Sequence, residues 1–147
     1  MKYYLNYNAL TSEGLIDISC NNRQLFINHS IINFENDING VSIGLSIVFV
    51  LFLGESSSYE ELPKNNVHAY DFNGNFLWDI GEVVDEARPF QRMSIHNAKS
   101  LIQHDTSSAP LAVTEGHEYL VLYTCGDQRF IIDVTEKRQI QKKGGFR

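Results

Sequence analysis

Residues 67–80 read VHAYDFNGNFLWDI, and this stretch carries the strongest fold signal in the chain. In its first half Val67 and Ala69 share one side of an extended run, while His68 and Tyr70 share the other. Side chains that fall on two alternating faces are typical of a β-strand. We therefore expect a strand to begin at this point.

Asn73-Gly74 follows and tolerates the positive φ angles of a type I′ turn, which matches the twist of a two-stranded hairpin. The apolar residues from Phe76 to Ile80 form the return strand. Trp78 is the only tryptophan of the chain, and a tryptophan beside a tight turn most often anchors a core. The stretch therefore predicts a β-hairpin with Trp78 buried.

The composition is that of an ordinary globular protein. The chain has 147 residues, of which 43% are hydrophobic and 20% are charged, so we expect a single domain over residues 1–147 and no disordered chain. Met1-Lys2 leads into a segment without the apolar core of a signal peptide. Cys20 and Cys125 are far apart, which predicts two buried thiols and no disulfide. Both observations favour a cytoplasmic location.

The formal net charge of −6 is unevenly distributed. All 18 carboxylates lie at or before Glu136 with only seven Lys and Arg residues, so that part of the chain sums to −11. The last eleven residues sum to +5, from Lys137, Arg138, Lys142, Lys143 and Arg147. An acidic body argues against nucleic acid as the partner, because phosphate binding needs a cationic face.

The most apolar segment spans residues 41–53. It alternates at first and then becomes continuously apolar, which favours one long central strand buried on both faces at one end. A membrane helix needs about 20 apolar residues, and this segment is shorter and contains two serines and a glycine. Asn39-Gly40, immediately before it, is a second hairpin signal.

The rest of the chain also consists mostly of short strand patterns. A polar loop is expected over residues 54–66, and Ser94–Gln103 has the spacing of a short helix with Ser94 as N-cap. Further strands are predicted at residues 3–7, 15–19, 24–28, 31–34, 111–114, 119–123 and 130–134 and near Ile140. The predicted fold is mainly β, an antiparallel β-sandwich or strongly curved sheet with at most one or two short helices.

Few residues suggest a chemistry. The five histidines show neither HxxxH nor HExxH spacing and no cysteine lies near one, so we expect no metal and no cofactor. His96 or His104 with Lys99 would form a ribonuclease-like acid–base pair. Histidines that are solvated or satisfied by hydrogen bonds are the alternative interpretation.

Residues 55–86 carry eight carboxylates against Lys64 alone, a net charge of −7 in 32 residues. One interpretation is a solvated face that keeps the protein soluble. The other is a surface for a basic protein, because complementary fields raise association rates and set specificity, with Tyr59, Tyr70 and Phe72 as aromatic anchors. The predicted partner-binding residues are Glu55, Tyr59, Glu60, Glu61, Asp71, Phe72, Asp79, Glu82, Asp85 and Glu86.

Two stretches, NNVHAYDFNGNFLWDI and GDQRFIIDVTEKRQI, resemble motifs of small β-rich immunity proteins that bacteria encode beside contact-dependent growth inhibition and other polymorphic toxins. The first motif of that family reads N-V-x-A-x-D-x-x-G-N-L-x-W-x-I. It is matched here by Asn66, Val67, Ala69, Asp71, Gly74, Asn75, Phe76, Leu77, Trp78 and Ile80. The second reads G-x-x-Y-x-I-D-x-x-T-G and is matched in part by Gly126, Phe130, Ile132, Asp133 and Thr135. Glu136 and Lys137 stand where a glycine often closes that turn.

The resemblance implies a β-sandwich-like fold and a protein that binds a cognate toxin domain, often a basic nuclease, and covers its active site. It transfers no catalytic residue and no cofactor, and we expect a monomer or weak dimer without a membrane partner. A small hydrolase using His96 or His104 is one alternative. A structural interaction module with no toxin partner is the other.

Overall fold

Twelve strands in three antiparallel sheets make up most of the described chain. The computed structural model describes residues 4–11, 14–53, 64–86, 88–104 and 111–144. The first sheet contains β1 (Tyr4–Thr11), β2 (Gly14–Asn21), β3 (Gln24–Ile27) and β4 (Ser30–Asn33). The second contains β5 (Ile38–Ile43), β6 (Ile47–Phe52), β7 (Val67–Asp71) and β8 (Phe76–Asp79). The third contains β9 (Phe90–Asn97), β10 (Glu118–Thr124), β11 (Gln128–Asp133) and β12 (Arg138–Gly144).

The second sheet is the middle layer of the protein, because both of its faces are buried. In β6, Val48 and Val50 pack with the side chains of the first sheet, whereas Phe49 and Leu51 pack with those of the third. Successive side chains of a strand point to opposite faces, so a strand that lies between two other layers needs apolar residues at every position. The prediction of a mainly β antiparallel fold is therefore confirmed, in the form of three stacked sheets.

The helix α1 (Ala98–His104) is the one α-helix among the described residues, accompanied by a 3₁₀ turn at Ile80–Glu82. It covers the outer face of the third sheet, where Leu101 packs with Tyr119 and Val121. The predicted N-cap was wrong, because Ser94 lies within β9. Instead, the Asn97 side chain accepts the Ser100 N–H at 2.7 Å, as an N-cap residue does.

Two further predictions in the first half were wrong. Asn39-Gly40 does not form a hairpin turn, since it lies inside β5 at a register shift opposite β6, where glycine suits a bulge as well as it suits a turn. The apolar segment 41–53 is not one strand. Residues 44–46 divide it, and the Gly44 N–H donates to the Ile47 carbonyl at 2.8 Å to close that hairpin.

The predicted hairpin between β7 and β8 is confirmed, but its turn differs from type I′. Gly74 has φ +84, whereas Asn73 is not in the left-handed region, and type I′ requires both. The turn also touches the first sheet, since a Cβ at residue 74 would lie 2.5 Å from the Ser30 Cβ. The Ser30 hydroxyl donates to the Asn73 carbonyl at 2.8 Å, so both φ and close approach favour glycine here.

Asn66 joins the middle sheet to the third sheet through a fully buried side chain. Its Oδ1 accepts the Phe90 N–H at 2.9 Å, and its Nδ2 donates to the Phe90 carbonyl at 2.8 Å. The amide thereby pairs with the backbone of β9 as another strand would. Its own carbonyl accepts the Phe52 N–H at 3.1 Å.

Other parts of the chain match the predictions only in part. Residues 111–114, predicted as a strand, have no regular structure, whereas β10, β11 and β12 are confirmed. Cys20 is buried as expected, but Cys125 is only half-buried. A turn over residues 11–14 was also expected between the first two strands, and its centre, residues 12–13, lies outside the described residues, as do residues 54–63 of the polar loop. Among the described helices, none has the length and apolar character needed to cross a membrane.

The burial of Trp78 generates the first prediction. Trp78 is 6% exposed and its ring meets that of Phe49 edge to face at 5.6 Å, so Trp78→Ala should lower the free energy of unfolding by about 3–5 kcal/mol. Leu77→Ala, one residue away but at a 41% exposed side chain, should cost less than about 1 kcal/mol. Urea denaturation of the two variants tests this, and equal losses would contradict it.

Asn66 generates the second prediction. Asn66→Leu leaves the buried N–H and carbonyl of Phe90 without partners, which should cost about 2–4 kcal/mol. Asn8→Leu, at an exposed position of β1, is the control and should change stability by less than about 0.5 kcal/mol. If thermal and urea unfolding of Asn66→Leu match the wild type, the amide does not hold the two sheets together.

Candidate functional site

The end of the β7–β8 hairpin and the turn that follows it carry the described part of the acidic segment. Five of the eight predicted carboxylates lie here, namely Asp71, Asp79, Glu82, Asp85 and Glu86. Glu55, Tyr59, Glu60 and Glu61 lie outside the described residues. The structure therefore describes six of the ten predicted partner-binding residues.

Asp71 shapes the hairpin turn. Its Oδ1 accepts the N–H groups of Asn73 and Asn75, both at 2.9 Å, and its Oδ2 accepts the Asn75 side-chain amide at 3.1 Å. Desolvation alone would raise the pKa of this carboxyl, but the hydrogen bonds from Asn75 and Asn73 outweigh it and lower the pKa. Asp71 thus stays ionised while it fixes the turn.

Asp79 and Glu82 form a capping box around the 3₁₀ turn. Asp79 Oδ1 accepts the Gly81 N–H at 2.8 Å, and Glu82 Oε2 accepts the Asp79 N–H at 2.9 Å. This reciprocal pattern satisfies N–H groups that the first turn leaves free. The hydrogen bond from Asp79 and the ammonium of Lys137 lower the pKa of Glu82 against its slight desolvation.

Two basic side chains, Lys137 from the basic end of the chain and Arg88, partly neutralise this acidic segment. Lys137 Nζ lies 3.4 Å from Glu82 Oε1, and Glu86 forms an ion pair with Arg88 at 3.0 Å. Arg88 also bonds the Gln128 side chain. Three carboxylates, Asp71, Asp79 and Asp85, have no cationic Lys or Arg partner among the described residues.

Two of the predicted aromatic anchors are not available to a partner. Phe72 and Tyr70 are each 6% exposed and lie in the core between the first and second sheets, so the prediction that they anchor a partner was wrong. The exposed apolar side chains of the hairpin are instead Phe76 and Leu77, at 52% and 41% exposure. Both were predicted only as part of the return strand, and the register shift in the β7–β8 pairing was not visible in the sequence pattern.

An aromatic cluster surrounds His68 on the face of β7 turned toward the first sheet. Its ring lies 4.7 Å from that of Phe52 and 5.4 Å from that of Phe76, and Phe34 and Tyr70 complete the group. Burial lowers the pKa of His68, and the nearby Asp79 carboxylate opposes this shift only in part. His68 is therefore neutral at physiological pH.

The alternative acid–base residues are held in a different place. The ring nitrogens of His96 lie 2.9 Å from the Ser94 hydroxyl and 2.8 Å from the Ser100 hydroxyl. These bonds tie the end of β9 to α1, which is the structural role expected of a satisfied histidine. Lys99 is exposed, and the His104 side chain lies outside the described part.

The sequence patterns did not indicate a further cluster of titratable side chains, which surrounds His117. His117 Nδ1 lies 2.8 Å from Asp133 Oδ2 and 3.8 Å from Glu136 Oε1, and all three offer ligand atoms within 4.8 Å of one another. Their bonds are internal, since Asp133 Oδ1 accepts the Glu136 N–H at 3.0 Å and Glu136 Oε2 pairs with Arg138. The arrangement braces the turn between β11 and β12, and the residues lie too far apart in sequence for a spacing motif.

Comparison with known proteins yields one finding. A family model described as Domain of unknown function (DUF7957) matches residues 15–114, from β2 through the end of the segment that follows α1. No curated protein and no solved structure matches the chain.

The environment of His68 generates a pH prediction. Because its pKa in the folded protein lies below the ordinary 6.5, the unfolded chain binds more protons between these two values, and stability falls as the pH drops below about 6.5. His68→Gln cannot titrate and should lose less stability over this range. Urea midpoints of both proteins at pH 7.5 and 5.5 measure the difference. The same drop in both would assign the pH dependence to other groups.

Proposed function

The chain belongs to the DUF7957 family, whose description assigns no activity, and we propose that it is a binding protein that neutralises a cationic toxin domain, as an immunity protein does. The partner would be a basic, nuclease-type domain, and binding would cover its active site. In this role the protein acts in the cytoplasm as a monomer or weak dimer, without cofactor or catalysis.

One observation carries the proposal, namely exposed apolar side chains on the edge strand of a hairpin, followed closely in the chain by carboxylates. Phe76 and Leu77 are half-exposed on the edge strand β8, and Asp79, Glu82 and Asp85 follow within nine residues. Protein interfaces commonly combine a few aromatic or aliphatic anchors with a charged rim. We call these five residues the hairpin surface.

Two of the three carboxylates of the hairpin surface are held in place by hydrogen bonds. Asp79 and Glu82 accept backbone N–H groups in the capping box. Charges on a rigid turn lose little conformational freedom when a partner binds, so their attraction for a cationic protein is not offset by ordering. This supports recognition of a basic partner, and against a nuclease the carboxylates would occupy the place of substrate phosphates.

Neutralising the hairpin surface generates the functional prediction. The triple variant Asp79→Asn, Glu82→Gln, Asp85→Asn removes three charges, while Asn and Gln preserve the capping box. Its association with the basic C-terminal domain of a secreted toxin encoded beside it should be about tenfold slower at low salt and less salt-dependent. The association rate constant is measured by stopped-flow or surface plasmon resonance at several ionic strengths.

The matched control removes three exposed carboxylates on other elements, in the variant Asp17→Asn, Glu115→Gln, Asp127→Asn. It should associate at nearly the wild-type rate. Equal slowing in both triple variants would show that only net charge matters and that the hairpin surface is not the interface. Failure of the wild type to co-elute with the toxin domain, together with hydrolytic activity lost in His96→Gln, would favour the enzyme alternative.

A further inference from the structure

The pairing of β7 with β8 places an exposed aromatic ring and a carboxylate side by side. Phe76 stands opposite Tyr70 and Asp79 stands opposite His68, with the register shift lying between them. Tyr70 and His68 are two residues apart and share a face, so Phe76 and Asp79 also share that face at a separation of about 7 Å along the strand.

The ring of Phe76 is held in one orientation. It meets the His68 ring at 5.4 Å and 73° and the Tyr70 ring at 5.7 Å and 70°, which are edge-to-face contacts. These contacts support it from the side of the core, yet half of the side chain remains exposed. Part of an aromatic ring whose inner side is supported by two other rings is thus presented to solvent.

Asp79 has acceptor capacity left beside this ring. Its Oδ1 accepts the Gly81 N–H, and no cationic Lys or Arg among the described residues pairs with it. His68 between them is neutral at physiological pH, because burial lowers its pKa. The ring and the carboxylate together therefore offer an aromatic surface and a negative acceptor that no Lys or Arg of the described residues occupies.

The protein contains an occupied arrangement of the same kind on its third sheet. Arg92 Cζ lies 4.4 Å from the centre of the Tyr123 ring, and Arg92 Nη2 lies 3.1 Å from Asp127 Oδ1. One guanidinium thus stacks on a ring and pairs with a carboxylate at the same time. A planar guanidinium suits this combination, because it can lie flat on a ring while its N–H fork donates to a carboxylate at its edge.

We infer that Phe76 and Asp79 form a binding site for an arginine side chain of a partner protein, with the guanidinium stacked on the ring and its N–H groups donated to the carboxylate. This inference rests on the proposed function for the source of the arginine, a basic protein domain. The site itself is a property of β8 and is testable without that domain.

The experiment is a two-dimensional NMR titration of the full chain with N-acetyl-arginine amide. We expect saturable shifts of the Phe76 and His68 ring signals, with N-acetyl-lysine amide and the neutral isostere N-acetyl-citrulline amide binding about two- to fivefold more weakly. Phe76→Leu and Asp79→Asn should each weaken arginine binding by a similar factor, since Asn keeps the cap. Glu115→Gln, exposed and on another element, is the control.

Equal binding of the arginine and citrulline probes, or unchanged arginine binding in Asp79→Asn, overturns the inference. A variant whose remaining residues keep their wild-type signals is folded.

The two proposals fail separately. Toxin binding that survives Phe76→Leu leaves the proposed function standing without the arginine site, whereas probe binding without any co-eluting toxin domain leaves the site standing without that function.

Discussion

Asn66 joins the middle and third sheets by buried hydrogen bonds as well as by apolar contact. Its amide replaces a strand neighbour for Phe90, so two buried polar groups of β9 are satisfied where no strand pairs with them. β7 begins at the next residue. This buried side chain therefore helps to position the start of the β7–β8 hairpin, while the Ser30 hydroxyl holds its turn.

Much of the fold was predictable because its signals are local. Alternation in residues 67–71, the apolar return to Ile80 and the burial of Trp78 all follow from neighbours in sequence. The division of residues 41–53 was not predictable in this way. Residues 44–46 lack strong turn residues, and the turn is held by Glu118, whose carboxylate accepts the Leu45 N–H at 3.0 Å from a distant strand.

The candidate site was predictable in charge but not in detail. Asp79 and Glu82 do stand near each other, yet their first role is to cap a turn that the sequence pattern did not indicate. One register shift leaves Leu77 without an opposite residue and turns Phe76 to the face opposite that of Trp78, because a single-residue change of register exchanges the faces of a strand. The residues on which the resemblance to immunity proteins was based likewise have structural roles here. Asn66 bridges two sheets, Asp71 caps a turn, and Lys137 adopts φ +56 close to the position where those proteins often carry a glycine.

The layered order of the sheets has a consequence for synthesis on the ribosome. Each sheet is assembled from strands that follow one another in the chain, so the first two layers can pair before the C-terminal strands have left the exit tunnel. Until β10 and β11 emerge, the face of the middle sheet that carries Phe49, Leu51 and Trp78 has no cover. A nascent or truncated chain at that stage presents a broad apolar surface, and its escape from aggregation depends on how soon the third layer arrives.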